Sequence, residues 1–210
     1  MTVLHVDDYL IALDKPSGLL AVPGRGPDKQ DCLSARVQAR YPDALVVHRL
    51  DMATSGIMLM ARGADAQRRL SQAFAARAVS KRYVAVVLGY LEAPPGEWQE
   101  VDLPLIVDWP NRPRSIVDPI HGKPSRTRWR VLGYAADGRA TRVELEPVTG
   151  RSHQLRVHMQ ALGHPILGDD LYAPEEGRTV SDRLLLHACA LRLTHPFSGA
   201  PFCVESPVPF

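Results

Sequence analysis

The apolar residues of this chain arrive in short runs separated by turn-forming residues, and neighbouring runs lie close enough in sequence to pair as hairpins. Thr2–Val6 and Tyr9–Leu13 flank Asp7-Asp8, with the turn Lys15-Pro16-Ser17-Gly18 behind them. Thr127–Tyr134 and Thr141–Glu146 flank Asp137-Gly138, a hairpin signal. Leu45–Val47, Ile57–Ala61, Tyr83–Leu88, Leu184–Leu193 and Phe202–Glu205 read as further strands. Helical spacing is confined to three places. Leu33 and Val37 predict a short helix over 31–40 capped by Asp31; Leu70 and Phe74 predict an amphipathic helix over 64–78. Leu155, Met159 and Leu162 predict a third, capped by Ser152 and ended at Gly163. The proline-dense stretch 103–124 reads as an irregular excursion. The expected fold is α+β, a mainly antiparallel mixed sheet flanked by short helices, in one domain over residues 1–210.

Composition removes several classes. With 210 residues, 45% hydrophobic and 23% charged, the chain has enough apolar content for a core without disulfides or a structural metal. Cys32, Cys189 and Cys203 form no CxxC pair, which suits a reducing, cytosolic setting. The N-terminus lacks a basic segment before its first acids, and no apolar run approaches the ~20 residues of a membrane helix.

Net charge is only +2, but its distribution is uneven. Arg62, Arg68, Arg69, Arg77, Lys81 and Arg82 face a single acid, Asp65; Arg112, Arg114, Lys123, Arg126, Arg128 and Arg130 face only Asp118. If both segments line one face, with the remaining acids elsewhere, they form a cationic strip able to replace phosphate counterions. The plain alternative is a pair of solvated surfaces. Arginine dominates the cations, which favours bidentate phosphate contacts and stacking on bases.

No phosphate-binding glycine motif is present: Gly24-Arg25-Gly26 is followed by Pro27. The histidines lack metal-ligand spacing, and no serine-hydrolase elbow exists. Two places remain unusual. Asp51 sits between two apolar strands, after His48-Arg49 and before Thr54-Ser55-Gly56, where a carboxylate loses water unless a cation pairs with it. An ordinary acidic turn residue is the plainer reading. Thr149–His158 begins a helix bearing Arg151, His153, Arg156 and His158, which also reads as a capped helix with a polar face.

His48-Arg49-Leu50-Asp51-Met52-Ala53-Thr54-Ser55-Gly56 resembles the His-Arg-Leu-Asp-x-x-Thr-Ser-Gly signature of the RluA family of pseudouridine synthases. Lys81–Gly89 is similar to the family's Lys-x-Tyr-x-Ala-x-Val-x-Gly strand, and Thr149–His158 to its Thr-Gly-Arg-x-His-Gln-Leu-Arg-x-His block. Gly163–Asp169, Leu184–Ala188 and Lys15–Gly18 fit in order, so the resemblance covers most of the chain. Asp108–Pro113 is similar to a dual-specificity subgroup acting on tRNA and 23S rRNA, without the S4-like module many relatives carry in front. Ala173 and Ser125 depart from the usual Gly and Ala, which bears on loop shape and RNA choice.

The resemblance implies an isomerase that breaks the N1–C1′ bond of uridine, turns the base and rejoins it through C5, with no cofactor and no metal. It assigns the catalytic carboxylate to Asp51, a compensating cation to Arg151 and base stacking to Tyr83, whose plainer reading is a core aromatic. The target base is flipped from its stack, with Arg49 as the filler of the vacated place. His48, Arg62, Arg112, Arg114, Arg126, Arg128, Arg130 and Arg156 complete the expected RNA-binding set, and the expected partners are a tRNA anticodon stem-loop and 23S rRNA, bound by a monomer. The rival expectation is an RNA-binding or ribosome-assembly module in which catalysis is dispensable. A sugar glycosidase would need a second acid beside Asp51, and the sequence places none locally.

Overall fold

A computed structural model describes residues 1–94 and 96–210. In chain order its elements are β1 (Thr2–Val6), β2 (Leu10–Lys15), α1 (Leu33–Gln38), β3 (Ala44–Val46), β4 (Ser55–Arg62), α2 (Gly63–Ala75), β5 (Ser80–Leu88), β6 (Gln99–Asp102), β7 (Leu105–Val107), β8 (Ser115–Val117), β9 (Arg126–Tyr134), β10 (Ala140–Pro147), α3 (Gln154–Ala161), α4 (Glu175–Arg178), β11 (Leu186–Thr194) and β12 (Pro201–Glu205). They fall into two compact units, one of residues 1–81 and 187–209, the other of 82–186 with Phe210. Mixed sheet with few, short helices is the architecture expected from the sequence.

In the first unit β4 is the central strand. It pairs antiparallel with β2 and β3 and parallel with β11, while β1 extends β2 and β12 extends β11. Being covered on both faces, Ser55 to Ala61 is buried without alternation, which is why it reads as a continuous apolar run. Ile57, Leu59 and Ala61 meet Leu10 and Ala12 of β2, Leu191 and Leu193 of β11, and Ala66 and Leu70 of α2 in one core. The outer face of α2 pairs Arg68 and Arg69 with Asp65, one turn away. The helix stops with Arg77 in the left-handed region (φ 59°), where Ala78 N–H reaches the Ala73 carbonyl.

In the second unit β5, β10, β9 and β6 form an antiparallel sheet, with β7 and β8 a separate hairpin. β10 alternates strictly: Thr141, Val143, Leu145 and Pro147 are buried, while Arg142, Glu144 and Glu146 point the other way. Leu105 packs with Val157 of α3 and with Tyr172.

Three local expectations are corrected. Asp31 does not cap α1; the Cys32 sulfur accepts from Ala35 N–H, and Asp31 instead grips Arg36 through both oxygens. Ser152 does not cap α3, because His153 takes a left-handed conformation (φ 55°) and the helix begins one residue later. Segment 103–124 is not wholly irregular: its prolines flank β7 and β8 rather than interrupting them, so neither strand loses a donor.

Candidate functional site

Asp51 lies in the connection from β3 to β4, and its surroundings explain why a loop holds one shape there. β3 ends at Val46, but His48 Nε2 accepts the Leu59 N–H at 2.8 Å, so a side chain continues the strand's edge. The ring stacks on Phe74 at 4.4 Å. Burial, with the Lys81 ammonium nearby, pushes its pKa down to about 3, so it stays a neutral acceptor. Arg49 is left exposed and Asp51 half-buried.

The turn after Asp51 is clamped from the Lys15–Gly18 segment. Lys15 is fully buried, and its Nζ donates to the carbonyls of Pro16 (2.9 Å), Leu19 (2.8 Å) and Met52 (3.0 Å). Gly18 N–H also donates to the Met52 carbonyl, and the Ser17 hydroxyl to that of Ala53 (2.7 Å). Thr54 N–H closes the turn on the Asp51 carbonyl. A buried ammonium is costly unless its protons are used, and here one of them fixes the backbone one residue from the carboxylate.

The far side of the turn enters β4 at Gly56. Its φ is +109°, and an added Cβ would lie 2.3 Å from the Ala188 carbonyl of β11, so only glycine lets these strands pair here. Ser55 bonds His187 Nδ1 (2.8 Å), His187 Nε2 bonds Ser206 Oγ (3.1 Å), and Ser206 donates to Asp14 (3.0 Å). Since Ser206 donates to the acid, it accepts from His187 Nε2–H, and the imidazole in turn accepts from Ser55.

The second unit carries the other two residues singled out. Tyr83 is half-buried on β5 opposite Leu145, on the inward side of its strand. Arg151 is exposed, and the turn beneath it is held by Gln154, a buried residue that sequence reasoning missed. Gln154 Oε1 accepts from Arg151 N–H (3.0 Å) and the Thr149 hydroxyl (2.7 Å), while its amide donates to the Arg126 carbonyl and Thr127 Oγ, both at 3.0 Å. Every hydrogen-bonding position of that side chain nearest the turn is used, which makes an amide more suitable there than a carboxylate. His158 binds Thr127 Oγ and the Leu103 carbonyl, and burial depresses its pKa.

Several expected RNA contacts have other work. Arg156 is 4% exposed and grips the fully buried Asp169 at 2.8 and 2.6 Å, so it braces the segment after α3 and is closed to RNA. His48 is committed to the Leu59 amide. The idea that acids face away from the cationic strip also fails. Arg126, Arg128 and Arg130 alternate on the outward side of β9 beside Glu100, Glu146 and Glu144, and Arg82 joins the same glutamates. Trp98 lies under three of these guanidiniums at 4.8–4.9 Å. Cross-strand pairing placed the glutamates there, which no linear count of charges could register. Arg62 pairs with Asp43 at 3.0 Å, whereas Arg49, Arg112, Arg114 and Arg151 are exposed. Among the described residues no group of three or more His, Cys, Asp or Glu is arranged to hold a metal ion.

Comparison with known proteins defines the class of this chain. The family model described as RNA pseudouridylate synthase matches residues 9–161, and the chain belongs to that family, as an RNA pseudouridine synthase and hence an isomerase. It is 51% identical over its whole length to the dual-specificity RNA pseudouridine synthase RluA of Escherichia coli, covering 94% of that protein. Against its namesake in Yersinia pestis the identity is 50%, with 96% of each chain covered. Among solved structures, human RNA pseudouridylate synthase domain containing 1 superposes with a TM-score of 0.79 at 28% identity, covering all of this chain and 84% of the other. No described helix is long and apolar enough to cross a membrane.

Proposed function

We propose that this enzyme isomerises specific uridines in RNA stem-loops, taking the tRNA anticodon arm and 23S rRNA as its two substrates, in the cytoplasm and as a monomeric catalytic domain spanning residues 1–210. Asp51 supplies the carboxylate that meets the electron-poor C1′ while the N1–C1′ bond breaks. The base turns, C5 bonds to C1′, the C5 proton leaves and N1 gains one, so the balance needs no redox partner. Tyr83 stacks on the target base and takes part in removing the C5 proton, Arg151 contributes positive charge to the chemistry, and Arg49 fills the place the base vacates. Arg49, Arg112 and Arg114 meet phosphates.

The observation that carries this reading is the clamp on the Asp51 turn. Three hydrogen bonds, from Lys15 and Gly18 to the Met52 carbonyl and from Ser17 to that of Ala53, hold one side of the turn around this half-buried acid, two more seat the fully buried Lys15 ammonium on its own segment, and the Gly56 approach fixes the other side. Such preorganisation is the arrangement expected of a reacting group. The test is tritium release from C5-labelled uridine in an unmodified anticodon stem-loop and a 23S rRNA fragment. Release from both, lost in Asp51→Asn while RNA affinity stays within a few fold, is the expected result. Turnover that persists in Asp51→Asn would remove the carboxylate from its role; binding without release by the intact protein would favour an RNA-binding module.

A further inference from the structure

We infer that the tip of the β7–β8 hairpin is a base-stacking platform on which Trp109, backed by Arg112, receives an unpaired nucleobase of the RNA loop. The inference rests on the RNA-modifying function proposed above. Trp109 is 67% exposed, at an apolar cost that a side chain of this size incurs without return in the free protein. It is not a floppy ring. Arg112 Cζ lies 4.0 Å from the indole centroid, and its Nε donates to the Trp109 carbonyl at 3.0 Å. The turn itself is closed by Asp108 N–H to Arg114 O, Asn111 N–H to Asp108 O, Arg114 N–H to Asn111 O, and the Asn111 amide to the Asp108 carboxylate.

A cation seated against an indole that remains mostly open to water suits a third planar group, and every nucleobase offers a π-face. Arg114 is exposed beside it for a phosphate. The hairpin root is tied to the Arg151 turn within the same unit: Tyr172 OH accepts Ser115 N–H at 2.8 Å and donates to His153 Nδ1 at 2.7 Å, two residues beyond Arg151. A base held at the tip is therefore in fixed register with that turn, and the platform selects loops that can present an unpaired base there.

The test uses the full chain and an anticodon stem-loop RNA, followed by tryptophan fluorescence. RNA should quench the wild-type emission, and Trp109→Phe should remove that quench while keeping near-normal affinity, because the phenyl ring still stacks. Trp109→Ala should raise Kd by roughly 5- to 100-fold with an unchanged salt slope, and should not alter binding of a fully paired duplex. Equal affinity of Trp109→Ala and wild type for the stem-loop, or a quench that survives in Trp109→Phe, would overturn the platform. Wild-type tritium release is read in parallel. Its absence with the quench intact would refute the isomerase reading and leave the platform standing; release with no Trp109 effect would do the reverse.

Discussion

The Asp51 turn and the outward face of β9 both concentrate charged side chains, yet they are held in opposite ways. Around Asp51, Lys15 Nζ, Ser17 Oγ and Gly18 N–H all end on backbone carbonyls, with the Lys15 side chain itself fully buried. On β9, Arg126, Arg128 and Arg130 end on glutamates of neighbouring strands, partly open to water. Hydrogen bonds to backbone fix where a loop runs, whereas partly exposed ion pairs cancel charge and stabilise little. A cluster of arginines is therefore a poor guide to an anionic partner until its own acids have been located.

The largest effects should follow from breaking the rigid region. Gly56→Ala forces a Cβ into the Ala188 carbonyl and should leave protein that is insoluble or melts well below wild type by calorimetry. Next, Asp169→Ala takes the bidentate partner from the buried Arg156 guanidinium and should cost about 3–5 kcal/mol in denaturant unfolding, with Arg156→Lys, which keeps the charge without the bidentate geometry, also destabilising. Lys15→Met removes three donors at once and takes the Lys15 donor from the buried Leu19 carbonyl; kcat should fall more than RNA affinity, and an unaltered kcat would dissociate the clamp from the chemistry.

Charge tests then separate the two kinds of arginine. Arg112→Gln with Arg114→Gln should reduce the slope of log K against log salt by roughly 1–2, whereas Arg128→Gln with Arg130→Gln should leave it near wild type. Equal slopes for both pairs would erase the distinction. The smallest signal is that of His48. With a folded pKa of about 3 against an ordinary 6.5, its stabilising contribution is complete above pH 6.5 and is lost as pH falls from there through about 3. Ring chemical shifts should accordingly show no His48 titration between pH 5 and 8.

Much of the architecture could be read along the chain. β1, β2, β9 and β10 alternate or are bracketed by turn residues, and α2 shows its apolar stripe, because those patterns depend only on neighbours one to four residues away. The caps of α1 and α3 were misplaced because Cys32 and the left-handed His153 won over residues with better average propensity. Of the candidate residues, Asp51, Tyr83 and Arg151 stood out through motif resemblance, while Gln154 and Lys15 lie within matched motifs but act through bonds to distant groups, the Arg126 and Thr127 segment and the Met52 carbonyl, which no local pattern announces.

By itself, then, the sequence determined most element types and the family, and it singled out Asp51 as a candidate acid, all of which are short-range or residue-type information. Only the tertiary structure decided that Arg156 is a buried brace and that the β9 arginines face glutamates from an adjacent strand. It also decided that Gly56 is glycine because Ala188, far away in sequence, comes within 2.3 Å of where its Cβ would stand. Desolvation and charge pairing depend on which groups lie within a few ångströms, and strand pairing sets those distances without regard to separation along the chain.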